Sequence, residues 1–236
     1  MDETLLLERD GPVGWLVFNR PEVGNAMDAS MTAALPGAWA RLEADAAVKV
    51  IVVTGRGQAF QTGLDLVQLS RDPAALREMS RRTKRGEPGL TAWHNGVTKP
   101  VITAVNGACA GAGLHFVADS DIVIAATSAT FLDPHVSVGQ VSAFETIGLA
   151  RRGPFGPVAR MALTGAYERV SAEQARRFGW VSEVVEPEAL RPAAQALAER
   201  IAEGDPALLA ALKRALWQAL ETGLSEARGA VRDHRR

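Results

Sequence analysis

Apolar positions along the chain fall into two rhythms. Residues 4–8 and 13–19 are strand-like runs on either side of Asp10-Gly11-Pro12, a hairpin-like start. Residues 48–54 (VKVIVVT) and 101–105 (VITAV) are β-branched and nearly all apolar, as strands buried on both faces are. Residues 121–126, 129–132 and 180–185 read as further strands. Helical spacing begins after a cap at Asp28 or Ser30, with Met31, Leu35, Ala38 and Leu42 in register and Pro36 predicting a kink or a late start. Residues 142–152, 157–164 and 171–178 are predicted helices, the last opened by Ser171 and Gln174 at capping-box spacing. Beyond Pro187 the pattern is helical only, with stripes at Leu190, Ala194, Leu197, Ile201 and at Leu208, Leu212, Leu216, Leu220.

Alternating strands and helices followed by an all-helical end predict an α/β core over residues 1–186 and a helical region over 187–236. That region is too small to fold alone and is expected to pack on the core or on another subunit. Residues 71–95 are polar and basic and read as the most mobile part of the first half, a solvated helix face rather than an anion site. No fixed-period repeat is visible.

The chemistry concentrates in residues 101–121, VITAVNGACAGAGLHFVADSD. A strand there breaks at Asn106-Gly107, crosses a glycine and alanine turn, and enters a helix near Ala112. The first N–H groups of such a helix lack internal partners, so with the helix dipole they can hold an anion or a developing oxyanion. His115 follows one turn later and His135 twenty residues further on.

Composition narrows the setting. Twenty-six basic residues against 27 acidic ones give a net charge of -1, so no strong field attracts nucleic acid or an anionic membrane. The N-terminus is neither a signal nor a transit peptide, and no apolar run reaches the roughly 18 residues of a membrane helix, so a cytoplasmic location is expected. The single cysteine, Cys109, excludes an internal disulfide and reads as a buried small hydrophobe.

NRPEVGNAM, GQAFQTGLDL, AVNGACAGAGLHFVADSDIVIA and LTGAYERVSAEQARRFGWVSEVV stand together in one order and spacing. On these four motifs the chain resembles the enoyl-CoA hydratase/isomerase (crotonase) superfamily over essentially its whole length. The resemblance implies an α/β fold built as a crotonase-like spiral of ββα units, with a C-terminal helical trimerisation region that is shorter here than in most members. It implies an acyl-CoA thioester as substrate, coenzyme A only as part of that substrate, no separate cofactor, no metal, and a homotrimer or hexamer. The shared chemistry is stabilisation of a thioester enolate by two backbone N–H groups, which by motif position are those of Leu64 and Ala112. Motif position also assigns substrate binding to Val23, Asn25 and Ala26, to Gln61, Gly63 and Asp65, and to Gly111. Arg20 is a candidate phosphate contact.

The chain departs from the family at the catalytic acids. Hydratases place two glutamates around the catalytic water, and those positions read His115 and His135 here. Two imidazoles can divide acid and base roles, because neighbouring like charges split their pKa values. Asp65, Asp133 and Glu145 could orient an imidazole, Asp65 more plausibly caps a helix, and Glu145 could project into the substrate pocket. His94 and His234 read as packing or hydrogen-bonding residues. A two-histidine, one-carboxylate metal site from His115, Asp133 and His135 is weighed and rejected. The expected function is hydration or isomerisation of an enoyl-CoA by a lyase of fatty acid metabolism. Retro-Claisen C–C hydrolysis of a β-diketone or β-ketoacyl-CoA, and non-catalytic acyl-CoA binding, stand as alternatives.

Overall fold

The computed structural model describes residues 4–72, 74, 78, 89–142, 144–223 and 226–228. Much of the polar stretch 71–95, and His234, lie outside those residues. Six strands form the main sheet: β1 (Leu5–Asp10), β2 (Val13–Phe18), β3 (Val50–Gly55), β5 (Val101–Val105), β7 (Ile122–Ala126) and β10 (Glu183–Val185), in that spatial order. β1 and β2 are the antiparallel hairpin, and the remaining pairs are parallel.

The apolar runs are continuous because both faces of this sheet are covered. Leu16, Phe18, Ile51, Val53, Val101 and Val105 point to one face, where helix α1 (Ala29–Ala44) packs with Met31, Leu35, Trp39 and Leu42. Trp15, Val17, Val50, Val52, Ile102 and Ile124 alternate to the other face and meet the first C-terminal helix through Leu190, Ala194, Ala198 and Ala202. Strand alternation is what assigns each neighbour to the opposite cluster. The helix at 187 onward therefore completes the core rather than hanging from it.

A second sheet was not visible in the apolar pattern. It contains β4 (Ala59–Gln61), β6 (Ala108–Ala110), β8 (Thr130–Leu132) and β9 (Val170–Ser171). β4, β6 and β8 are three residues each, and the sequence reading had assigned the first two to glycine turns. With α2 (Leu66–Arg71) after β4 and α3 (Gly113–Ala118) after β6, the chain repeats a unit of long strand, short strand and helix. α1 starts at 29 with Asp28 as its cap, the Asp28 side chain accepting from the Met31 N–H, and runs unbroken past Pro36. A late start at Pro36 is thus excluded.

The remaining helices are α4 (Phe144–Arg152), α5 (Phe155–Thr164), α6 (Ala172–Arg177), α7 (Leu190–Ala202) and α8 (Pro206–Ala219). The Ser171–Gln174 capping box opens α6 as the sequence predicts. On α8, Leu208, Leu212 and Leu216 are exposed. Cys109 is buried, and burial pushes its thiol well up, out of the reactive range. Among the described residues no helix is long and apolar enough to cross a membrane.

Two glycines test this packing with opposite signs. A Cβ on Gly107 would run into the Gln58 carbonyl ahead of β4, whereas one on Gly37, inside α1, meets nothing within 4 Å. Gly37→Ala is expected to stabilise by about 0.5–1 kcal/mol. Gly107→Ala is expected to destabilise by more than about 2 kcal/mol in urea unfolding. Equal effects would show that the β4–β6 approach is not tightly packed.

Candidate active site

Three chain segments converge at the ends of β4 and β6. The loop after β2 is joined to the one after β4 by a bridge between Met27 and Leu64, with the Met27 N–H donating to the Gly63 carbonyl (2.7 Å) and the Asp65 N–H to the Met27 carbonyl (2.9 Å). In such a parallel bridge the N–H of Leu64 itself faces away from Met27. Gly63 and Gly111 then meet back to back. A Cβ on Gly63 would lie 3.7 Å from the Ala112 nitrogen, and one on Gly111 would lie 3.6 Å from the Gly63 Cα. Both glycines hold positive φ, 99° and 52°, which favours residues without a Cβ. Ala112 is the N-cap of α3, its carbonyl accepting from the His115 N–H at 3.2 Å while its own N–H lies outside the helix's hydrogen bonds. Neither Leu64 nor Ala112 has a hydrogen-bond partner for its N–H among the described residues.

The side chains carried over by motif position mostly build this corner. Asn25, fully buried at φ 58°, accepts from the Arg20 N–H and donates to the carbonyls of Arg56 and Ala59. Gln61 folds onto Gly63, donating to its carbonyl and accepting from its N–H, which braces the turn that presents Leu64. Asp65 caps α2 through the Gln68 N–H and pairs with Arg20 at 3.0 Å. Arg20 also reaches Asp28 at 3.4 Å and the Ala26 carbonyl at 2.6 Å, so its guanidinium is committed within the fold. Val23 is exposed beside this corner. The backbone of residues 23–26 and 61–65 lines the approach to the turn.

The titratable groups sit on the other side of Gly111. His135 follows β8 and Pro134, and its ring comes within 3.7 Å of a Cβ position on Gly111. Its Nδ1 lies 2.6 Å from Asp133 Oδ1, which also accepts from the His135 backbone N–H. His115 is buried in α3. Glu145, at the start of α4, is buried between the two, with Oε2 3.5 Å from His115 Nε2 and Oε1 3.5 Å from His135 Nδ1. The sequence offers Glu145 as a group that could orient an imidazole or project into the pocket, without placing it between the two histidines. Its position between the histidines is set by α4 packing on α3, a contact with no local signature. The link from Asp133 to His135, two residues apart, was legible.

Each environment moves its group in an identifiable direction. Burial lowers His115 to about 4, and the charge of His135 adds to this, so His115 is neutral. Burial pulls His135 the same way, but the Asp133 hydrogen bond and the charges of Glu145 and Asp133 outweigh it and raise it. Glu145 is raised chiefly by burial, against the pull of His135. Burial would raise Asp133 as well, yet the hydrogen bonds from His135 leave it lowered. Groups pushed apart in this way can divide acid and base work.

A third histidine belongs to this cluster. His94, read from the sequence as a packing residue, stacks edge-on against His115 with ring centroids 6.1 Å apart. It lines a cavity of about 200 Å³ together with His115. Burial takes His94 to about 4, with His115 adding to the shift. Among the described residues, no group of three or more His, Cys, Asp and Glu side chains is arranged to hold a metal ion.

Comparison with known proteins agrees with this architecture. Residues 8–234 match the family model for enoyl-CoA hydratase/isomerase. The (E)-benzylidenesuccinyl-CoA hydratase of Thauera aromatica is 38% identical over 212 residues, 89% of this chain and 80% of that protein. A carnitinyl-CoA dehydratase of Salmonella enteritidis is 33% identical over 215 residues, covering 90% and 80%. The crystal structure of an enoyl-CoA hydratase/isomerase from Mycobacterium paratuberculosis aligns with a TM-score of 0.87 at 35% identity, over 99% of this chain and 88% of that one. The chain belongs to the enoyl-CoA hydratase/isomerase family and has its crotonase fold. It is an acyl-CoA enzyme of that family, whose named relatives here are lyases.

The buried histidines give stability a pH dependence. His94 and His115 titrate near 4 when folded against an ordinary value of 6.5, so between those pH values the unfolded chain binds protons the folded one refuses. Their contribution is complete above 6.5 and lost as pH falls towards 4. Asp119, raised from 3.8 to about 6 mainly by burial, works oppositely, as do Glu145 and His135, whereas Asp133 and Asp65, held low by their hydrogen bonds, add to the loss in acid. Thermal melting is expected at lower temperature at pH 4.5 than at pH 7, with a shallower drop in His115→Phe. An unchanged drop in that variant would refute the burial account.

Proposed function

We propose that the protein adds water across the double bond of an enoyl-CoA, or forms that double bond by removing water from a 3-hydroxyacyl-CoA. The observation carrying this reading is the pair of unpartnered N–H groups, Leu64 and Ala112, beside the Gly63–Gly111 approach, with the His135 ring against Gly111. Those N–H groups are the oxyanion hole for the thioester oxygen. Such fixed donors typically contribute about 2.7–4 kcal/mol each to transition-state stabilisation. The CoA moiety follows the backbone of 23–26 and 61–65, and the enzyme needs no separate cofactor. It works as a homotrimer or hexamer in the cytoplasm.

In the hydration direction, Asp133 holds the Nδ1–H of His135, which leaves the Nε2 lone pair to accept a proton from water. The water oxygen bonds to Cβ as the C=C π pair moves to Cα and onto the thioester oxygen. The resulting enolate is neutralised at Cα by a proton from the coupled His115–Glu145 pair. Dehydration runs the same steps backwards. Glu145 thus supplies, from α4, the carboxyl that the usual glutamate positions lack.

His135→Ala and Glu145→Gln are each expected to lower kcat about 10²–10⁴-fold on an enoyl-CoA substrate, with little change in KM. The base must be unprotonated, and His135 is raised above the ordinary histidine value of 6.5, so kcat/KM should rise with pH along a limb lying above 6.5. That limb should vanish in His135→Ala. Wild-type rates in both variants would overturn the assignment and favour non-catalytic acyl-CoA binding.

Hydrolytic cleavage of a β-diketone or β-ketoacyl-CoA is a second reading, favoured by the Asp133–His135 contact at 2.6 Å, a pairing suited to activating water. Water then attacks a carbonyl carbon and the Cα–carbonyl bond breaks to an enolate in the same hole. Mass spectrometry separates the two readings, since cleavage releases two fragments and hydration adds only water.

A further inference from the structure

Thr91 and Asp119 give His94 a fixed tautomer. The Thr91 hydroxyl donates to Asp119 Oδ2 at 2.8 Å, and His94 Nδ1 lies 2.7 Å from the same hydroxyl oxygen. A hydroxyl has one hydrogen, and Thr91 spends it on the carboxylate, so His94 Nδ1 must be the N–H donor. The neutral ring then carries its lone pair on Nε2. Nε2 has no hydrogen-bond partner among the described residues.

The cavity that His94 lines is otherwise mainly apolar, walled by Trp93, Phe144, Ile147 and Leu220. Its volume of about 200 Å³ exceeds the roughly 150 Å³ that admits a benzene ring. Arg152 also lines it, but its guanidinium is held by the carbonyls of Val117, Ala118 and Ser120 at the end of α3. Arg151 and Glu221 are exposed to solvent. Beside His115, whose Nε2 has only the 3.5 Å approach of Glu145, His94 is thus a polar group of the inner wall with one ring nitrogen unpartnered.

We propose that this cavity takes an aryl or similarly bulky acyl group bearing a hydroxyl or N–H donor, which His94 Nε2 accepts, with Thr91 and Asp119 as positioning residues. The proposal rests on the acyl-CoA reading of the site and names its substrate class. A hydrogen-bonding wall discriminates against the analogue that leaves its acceptor unpaired.

The test is calorimetric titration of the whole protein with saturated, non-reacting thioesters: 3-phenylpropanoyl-CoA and its 3- and 4-hydroxyphenyl counterparts. At least one hydroxylated thioester is expected to bind about five- to tenfold more tightly than the plain one, the worth of one neutral hydrogen bond. That preference, the ratio of hydroxylated to plain thioester affinity within each protein, should vanish in His94→Phe and weaken in Thr91→Val. A preference absent from the wild type, or kept in His94→Phe, overturns the proposal. If neither kind of thioester binds, the acyl-CoA reading itself falls. Independently of any variant, ¹⁵N NMR should find the His94 proton on Nδ1 at pH 8, and an Nε2–H tautomer would refute the argument.

Discussion

The close meeting of Gly63 and Gly111 is the constraint on which the site depends. The two turns pack in van der Waals contact, and both residues hold the positive φ that favours glycine. Parallel pairing of β4 with β6 sets the distance, and Gln61 and Asn25 hold the turns in place with their side-chain amides. A side chain at either position would strain the backbone through its positive φ, and a Cβ on Gly63 would also press on the Ala110 carbonyl at 3.3 Å. Polar residues that motif position marks for substrate binding thus spend their side chains shaping backbone. What they offer a ligand is the direction of their neighbours' N–H groups.

Around this corner the chain gathers an uncommon density of buried titratable groups. Asp133, His135, Glu145, His115, His94 and Asp119 follow one another across the interior, and burial works on every one of them. Burial opposes charge, so a group stays ionised there only with a partner at hand. His135 has Asp133 and Glu145 and is raised, whereas His115 and His94 have only weaker or shared partners and are neutral. The same burial that tunes the groups makes the fold sensitive to acid. Function and stability draw here on one electrostatic arrangement.

Much of the fold was legible in the chain. Runs such as VKVIVVT and VITAV can only be strands covered on both sides, and the cap at Asp28 and the box at Ser171 mark real helix starts. The second sheet was not legible. Three-residue strands such as ACA are too short to show alternation, and glycines on either side make them resemble turns. The site divides in the same way. His115 and His135 were found because they stand at the positions where the family motifs carry glutamates, and Asp133 by its nearness in those motifs.

Sequence alone determined the local chemistry: which residues are glycine, which are imidazoles, and that a strand enters a helix at Ala112. Those properties depend on neighbours within a few residues, so they are written in the chain. Tertiary structure alone decided that Glu145 stands between the two histidines and that His94, tied to Thr91 and Asp119, faces the same cavity as His115. Both facts come from helices and loops far apart in sequence packing on α3. A carboxylate reaching a site from another helix obeys packing distances, for which no periodicity or motif in the chain stands as a sign.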